Sequence, residues 1–397
     1  MCKKAAFSLI ISALLLFTGC GNKQEIVPKV EIKDGVKFVH NDEPLWGDNP
    51  EIELKFIRQI GVFEGPDDNY MFFIPTDFAV DNEGNIYVLD MGNFRIQKFD
   101  KDCKYLATFG REGQGPSEFQ GAIVGIEIDK SGNIWVADNT QLKSFILIMS
   151  PDGKELRRFP FDVALRHIRL LKDGSIIKES LDDDYANNLL KVYDQNGNFV
   201  KGIGKAKEYD NTSSTWSLRP FYYTFDNNDN VYIAFQHRNV IEKYTPNNEL
   251  ILKIDRKLNY DSNFEIEKRT IELPAFIDGE RVMKKETIKT LKAKYISQAI
   301  DVDGNERIWV VTRQRQALEN ENAYVQYSSG RPSRVAGNTD ITETYMYILE
   351  VFDKEGILLT RFPITHFVDG MRIYGDRLFI VDKLRTMCIF EYKIIDL

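Results

Sequence analysis

One short pattern recurs along this chain, and it limits the possible folds more than any other feature. Residues 80–100 read VDNEGNIYVLDMGNFRIQKFD. Asn82-Glu83-Gly84-Asn85 carries turn chemistry, with Gly84 free to take a positive φ. Ile86-Tyr87-Val88-Leu89 is β-branched and aromatic, a strand by composition. After a second turn, Ile96-Gln97-Lys98-Phe99 alternates apolar and polar, and Asp100-Lys101-Asp102 turns again. The pattern returns at 128–159, IDKSGNIWVADNTQLKSFILIMSPDGKELRRF, with Gly132, Trp135-Val136 and Asp138 at the places of Gly84, Tyr87-Val88 and Asp90. Fainter copies are LKDGSIIKES with VYDQNGNFVKGIG, FDNNDNVYIAF with KYTPNNELILKI, DVDGNERIWVV with VFDKEGILLTRF, and IYGDRLFIVD with CIFEYKI. A period of roughly 40 to 50 residues with four short strands per unit predicts a propeller blade. The first turns, at Gly84, Gly132, Gly174, Asp229, Gly304 and Gly375, number six blades.

The expected fold is therefore all-β: a single six-bladed β-propeller of four-stranded antiparallel blades over residues 52–397. The last unit shows only three strands, near 367–374, 377–383 and 386–394. The stretch IELKFIRQIG at 52–61 is a strand without a local partner. FIRQIGVFEGPDDNYMF also parallels YLATFGREGQGPSEFQG, which follows the third strand of the first blade. Glu53 to Ile60 should thus pair with Cys388–Lys393 and close the ring, which would otherwise leave an exposed sheet edge. The glycines at 110, 113 and 115 lead into a strand and not a helix, so a phosphate-cradling loop is not expected.

Residues 1–19 form a signal segment: Lys3-Lys4, an apolar run from Ala5 to Phe17, then Thr18-Gly19-Cys20. It is too short to span a membrane as a helix. The ending FTGC resembles the bacterial lipobox, which implies lipidation of Cys20 and a membrane-anchored envelope protein, on the periplasmic face or the cell surface. Residues 20–51 form a tether with a small hairpin at Asp34-Gly35, followed by DEPLWGDNP as extended linker. With Cys2 removed and Cys20 acylated, Cys103 and Cys388 remain, and nothing in the sequence places them within reach of each other. The net charge of −8 argues against nucleic-acid partners, because phosphate contacts need a basic face.

Two stretches break the repeat. Residues 257–296 are charged, with helical spacing around Val282, Ile288 and Leu291, and residues 314–343 read as a long polar loop. With strands named a to d from the axis outward, the first is a d–a connection and the second a b–c loop. Both decorate one face, while every tight turn lies on the other. Function on such scaffolds is carried by loops.

With these repeats in view, the chain resembles the six-bladed NHL-repeat-like propellers, specifically lipoproteins of the bacterial envelope. GNIYVLDMGNFRIQKFD carries the resemblance through Gly84-Asn85, Val88, Asp90, Gly92-Asn93, Arg95-Ile96 and Phe99. The second blade carries it through Gly132-Asn133 and Ala137-Asp138, and DGVKFVHNDEPLWG is also similar to that group. The resemblance implies a periplasmic or surface propeller and no settled activity.

The functional expectation is a non-catalytic binding or assembly propeller, monomeric, for a peptide, glycan or protein partner. Candidate ligand contacts on the decorated face are Trp216, Arg219, His237, Arg238, Arg313 and Arg315, since aromatic and guanidinium groups are frequent at binding hot spots. The alternative is a metal-dependent lyase or hydrolase with a site in the propeller channel. His167 and His366 read as the starts of inner strands, where an axial site could form, but no HxxxH or HExxH spacing is present. DVDGN lacks the full run of alternating oxygen ligands for calcium, SLDDDY is more simply a charged loop, and no Ser or Cys nucleophile pairs with a base. No catalytic residue, metal or cofactor is assigned from sequence.

Overall fold

The computed structural model describes residues 28–140, 143–161, 165–180, 188–205, 220–277, 280–328 and 331–397. Six antiparallel sheets form a ring. Blade one runs from Pro75–Val80 innermost to Tyr105–Phe109 outermost, and blade two from Ala122–Ile128 to Glu155–Phe161. Blade three runs from Ile168–Leu170 to Phe199–Ile203, and blade four from Phe221–Phe225 to Leu250–Arg256. Blade five runs from Ser297–Val302 to Leu358–His366. Blade six starts at Gly370–Tyr374, continues through Arg377–Asp382 and Cys388–Asp396, and is completed by Ile52–Ile60. That closing strand pairs antiparallel from Ile52 against Asp396 to Ile60 against Ile389, so the ring closes as the sequence predicts.

The repeated turn has a specific anchor. Asp81 Oδ1 accepts from the N–H of Glu83 and Asn85 at 3.0 and 2.9 Å, and Tyr87 OH donates to Asp81 Oδ2 at 3.1 Å. Asp129 with Trp135, Asp226 with Tyr232 and Asp303 with Trp309 repeat the arrangement. Each such bond contributes about 0.5–1.5 kcal/mol net, and each fixes the inner hairpin's register. In blade five the left-handed residue is Glu306, φ 61°, and not Gly304. The anchor is Asp303, and the fourth turn residue takes the strained conformation whatever its side chain. Between the blades the core is aliphatic and aromatic, with Ile86, Val88, Phe99, Val136, Val310 and Ile380 fully buried.

The N-terminal segment does more than close the ring. Its hairpin, Lys29–Lys33 and Val36–Asn41, lies in parallel register outside Leu250–Arg256 of blade four, pairing Leu252 with Lys37 through Arg256 with Asn41. His40 Nδ1 meets Asp255 Oδ2 at 2.7 Å. Buried Asn41 donates to Gly356 O at 3.0 Å and accepts from Leu358 N at 2.8 Å. The following residues, expected as extended linker, bond to blade five: Leu45 N to Leu358 O at 2.8 Å and Trp46 N to Leu359 O at 3.0 Å. Residues 29–60 are thus a strap over the rims of blades four, five and six.

Both insertions are hairpins. Glu265–Ile277 pairs with Glu280–Lys292 over their whole length, which overturns the helical expectation for 257–296. The apolar residues at helical spacing compete there with β-branched Ile266, Thr270, Ile271 and Thr287. The register runs to Ile277 against Glu280. Residues 323–337 form a second hairpin instead of a plain loop, Ala323–Ser328 with Arg331–Gly337, and Val325 and Val335 pack on the aliphatic core between blades one and two. Among the described residues no helix is long and apolar enough to cross a membrane.

Candidate functional site

Register identifies the residues around the axis. In each blade the second strand ends in a position that packs between blades: Leu89, Ala137, Ala234, Val311 and Val381 in blades one, two, four, five and six. Blade three carries Glu179 at this position. The inner-strand partners of these positions are Asp77, Gly125, Tyr222, Ala299 and Gly370, with His167, just ahead of Ile168–Leu170, opposite Glu179. Three of the six are Gly or Ala, and two of these, Ala299 and Gly370, border an open space at the axis. A cavity of about 70 Å³ occupies it, lined among others by His167, Glu179, Tyr222, Asp369, Arg372 and Lys383.

The cavity lies on the face bearing both hairpins. His167 and Asp369 precede inner strands, so they belong to d–a connections. Glu179 ends the second strand of blade three, and Lys383 follows the second strand of blade six. Deeper along the inner strands an ion network forms the floor. Arg372, 5% exposed, donates to Asp77 Oδ2 at 2.8 Å and to Glu127 Oε1 at 2.6 Å, and Arg169 Nε lies 2.9 Å from Glu127 Oε1. Asp77 also accepts from Ile126 N at 3.1 Å. Two guanidinium groups and two carboxylates, from blades six, one, two and three, thus neutralise one another.

Above this floor Lys383 and Asp369 act on each other, and Glu179 is the carboxylate without a close partner. Glu179 is 7% exposed and its carboxylate makes no hydrogen bond among the described residues; its ion contact is Arg166 Nη1 at 3.9 Å. Burial raises its pKa to about 7, opposed by the charges of Arg166 and Lys178. The His167 imidazole has no hydrogen-bond partner among the described residues, and burial together with the charge of Lys383 lowers its pKa to about 4. It is therefore neutral, one nitrogen donating and the other accepting. Asp369 accepts from Lys383 N at 2.8 Å; burial plus the charge of Asp382 raises its pKa, and the charge of Lys383 opposes the rise. Lys383, half-buried, has no carboxylate within 4 Å among the described residues. Tyr222 OH accepts from Gln236 Nε2 at 3.3 Å.

Four of the residues expected from sequence lie outside this cavity. His237 is 6% exposed, donates from Nδ1 to Lys294 O at 3.0 Å and packs edge-on against Tyr295, joining blade four to the end of the first insertion. Arg315 grips both oxygens of Glu321 at 2.6 and 2.7 Å, an ion pair that lowers the Glu321 pKa to about 2. Arg313 donates to Gln298 Oε1 at 3.2 Å and lies 4.5 Å from the Tyr295 ring centre; its charge also acts on Tyr222. Arg238 stacks 3.3 Å above Phe235 and lines an open groove with Lys205, Tyr244 and Lys253. None of these four lines the axial cavity. Trp216, Arg219 and Cys20 lie outside the described residues. His366 ends the outer strand of blade five and is not at the axis: its ring stacks 3.8 Å from Phe390, and Nε2 is 2.7 Å from Tyr392 OH. Among the described residues no three His, Cys, Asp or Glu side chains are disposed to hold a metal, and Cys103 and Cys388 are free thiols.

Sequence reasoning missed Glu179, although a signal was present. Aligned on the turn, GNIYVLD and GNIWVAD become GSIIKES, with Lys178 and Glu179 where the other blades carry Val, Ile, Leu or Ala.

Comparison with known proteins agrees with this architecture. Residues 74–99 match the model of the NHL repeat. The Drosophila melanogaster protein brain tumor is 29% identical over 154 residues, 38% of this chain and 14% of that protein. The chain therefore corresponds to about one seventh of that relative's length. A Bacteroides vulgatus structure from the DUF4221 family aligns with TM-score 0.56 at 12% identity, covering 88% of this chain and 99% of that one. A candidate exported protein of Bacteroides fragilis aligns with TM-score 0.51 at 11% identity, covering 91% and 99%. The chain is a six-bladed β-propeller with an NHL repeat in its first blade.

Proposed function

We propose that this protein is a non-catalytic binding propeller of the bacterial cell envelope, anchored through Cys20, whose peptide, glycan or protein ligand enters the axial cavity on the hairpin-bearing face. The observation that carries this reading is Glu179: a buried carboxylate without a hydrogen bond among the described residues, at a position that the other five blades fill with an aliphatic side chain. Burying a charge in this way costs stability, and groups so perturbed concentrate at functional sites. The cavity is small beside the roughly 300–1,000 Å³ of drug-sized sites, so it suits one group of a larger ligand that also meets the face bearing the hairpins. The test is a peptide and glycan array probed with the full-length protein and with Glu179→Leu, which restores the residue type of blade one. Binding weakened at least tenfold in the variant is expected; unchanged binding refutes the axial site. For the anchor, Cys20→Ser should release the protein from the membrane fraction and abolish labelling by a fatty-acid probe, and retained labelling refutes lipidation.

The second reading, a lyase or hydrolase in the same cavity, draws on the Glu179 pKa of about 7, which suits a general acid–base group. Turnover of an array-identified ligand, lost in Glu179→Gln with binding retained, would establish it.

A further inference from the structure

We propose that the rim of blade four is a membrane-contacting surface: the edge strand Lys29–Lys33 lies against the lipid bilayer that holds Cys20, so the ring stands on its rim. This rests on the reading that Cys20 carries lipid, and adds which side of the propeller meets the membrane.

The first observation is the edge itself. The N-terminal hairpin extends blade four to six strands, and Lys29–Lys33 is the outermost of them. Val39 pairs with Val30 on one side and with Ile254 on the other, so the three side chains share one face. Val39 and Ile254 are covered in the core between blades four and five. Val30, one strand further out, is 43% exposed, and Ile32 on the same face is 62% exposed. The apolar column thus runs outward past the point where blade five covers it. On the other face the amines of Lys29 and Lys33 hold Glu31 at 2.5 and 2.7 Å, which leaves one positive charge in excess along the edge.

The second observation is reach. Lys29 stands nine residues after Cys20, and nine residues span at most about 30 Å in any conformation, at ~3.3–3.6 Å each. A domain of roughly 345 residues has a radius of gyration of about 20 Å, so the ring is roughly 50 Å across. A ring with blade one on the bilayer and blade four uppermost is therefore out of reach. Exposed aliphatic side chains with flanking lysines suit the boundary between acyl chains and anionic headgroups. They do not suit a second copy of the same edge. In the antiparallel pairing centred on Glu31, Lys29 would face Lys33 of the second copy and Glu31 would face its own counterpart, and like charges directly opposite oppose pairing. Contact through the rim leaves the hairpin-bearing face open to a ligand.

The experiment uses the lipidated full-length protein in vesicles of phosphatidylethanolamine and phosphatidylglycerol that contain a spin-labelled phospholipid as quencher. A thiol-reactive fluorophore is placed at Ile32→Cys or at Leu106→Cys, an exposed site on the outer strand of blade one, each in a Cys103→Ser background. The label at residue 32 is expected to be quenched at least twofold more than the label at 106, and to lose that excess when Cys20→Ser frees the protein. Equal quenching at the two sites in anchored protein overturns the surface and leaves the anchor standing. A protein with Cys20 intact that neither floats with the vesicles nor takes up a fatty-acid probe overturns the anchor, and the surface with it. Cross-links between copies at residue 32, in place of lipid quenching, give the edge to a second copy and equally overturn the proposal.

Discussion

Glu179→Gln should stabilise this protein, and by an amount that depends on pH. The carboxyl has an ordinary pKa of 4.5 and a folded pKa of about 7. A raised acid pKa means that the folded state holds its proton more tightly, so the group costs nothing while protonated in both states. The cost begins as pH rises through 4.5 and is complete above 7. A shift from 4.5 to about 7, at about 1.4 kcal/mol per unit, amounts to about 3 kcal/mol of destabilisation at pH 8 and well under 1 kcal/mol at pH 4.5. Glutamine has nearly the same shape and no titration, so it removes that cost. For a ring of roughly 350 residues unfolding with about 2 cal/mol/K of entropy per residue, 3 kcal/mol corresponds to about 4 °C in Tm. The charges facing Glu179 are those of Arg166 and Lys178. Thermal melts of both proteins between pH 4.5 and 8 should therefore converge at the acid end and separate at the alkaline end. A constant difference, or a variant less stable at pH 8, would refute the reasoning and mean that the carboxylate is matched in the folded protein.

Arg372→Met leaves Asp77 and Glu127 in the floor without their shared cation. It should cost about 3–5 kcal/mol in denaturant unfolding, as removal of one partner of a buried pair does; a loss under 1 kcal/mol would show that Arg169 alone compensates. Deleting residues 50–61 removes the closing strand and exposes Cys388–Asp396 as an edge, so the product should aggregate or fail to fold. A stable monomer by light scattering would count against closure by this strand.

The ring was legible because its turns are local: a turn Asp, its neighbouring Gly or Asn and the aromatic that donates back to it lie within a few residues. Closure was legible from the likeness of FIRQIG to YLATFG. The hairpin Glu265–Lys292 was not, because apolar residues in a charged segment satisfy helical and extended periodicities together, and nothing local decides between them. The strap was half legible: the Asp34-Gly35 turn shows a hairpin, but its partners are a parallel strand of blade four and the backbone of Leu358 and Leu359. The candidate site was the least legible part. Its lining comes from blade ends spread around the ring, and only the substitution of Glu179 into an aliphatic column marks it within the sequence. His237, Arg313 and Arg315 have the composition of ligand contacts, yet the fold uses them to hold its own inserted segments.

The strap also sets an order in time. Residues 29–60 emerge from the ribosome before any blade, but their partners in blades four, five and six emerge last; the Lys37–Glu355 contact alone joins residues 318 apart. Such distant pairings form late, since loop closure must precede the contacts that reward it. The oldest part of the nascent chain thus waits for the youngest, and its strand edges stay unpaired for the whole interval. A chain interrupted before Cys388–Asp396 does not become a smaller ring. It becomes an open one with both rims bare, the kind of surface that chaperones and proteases recognise.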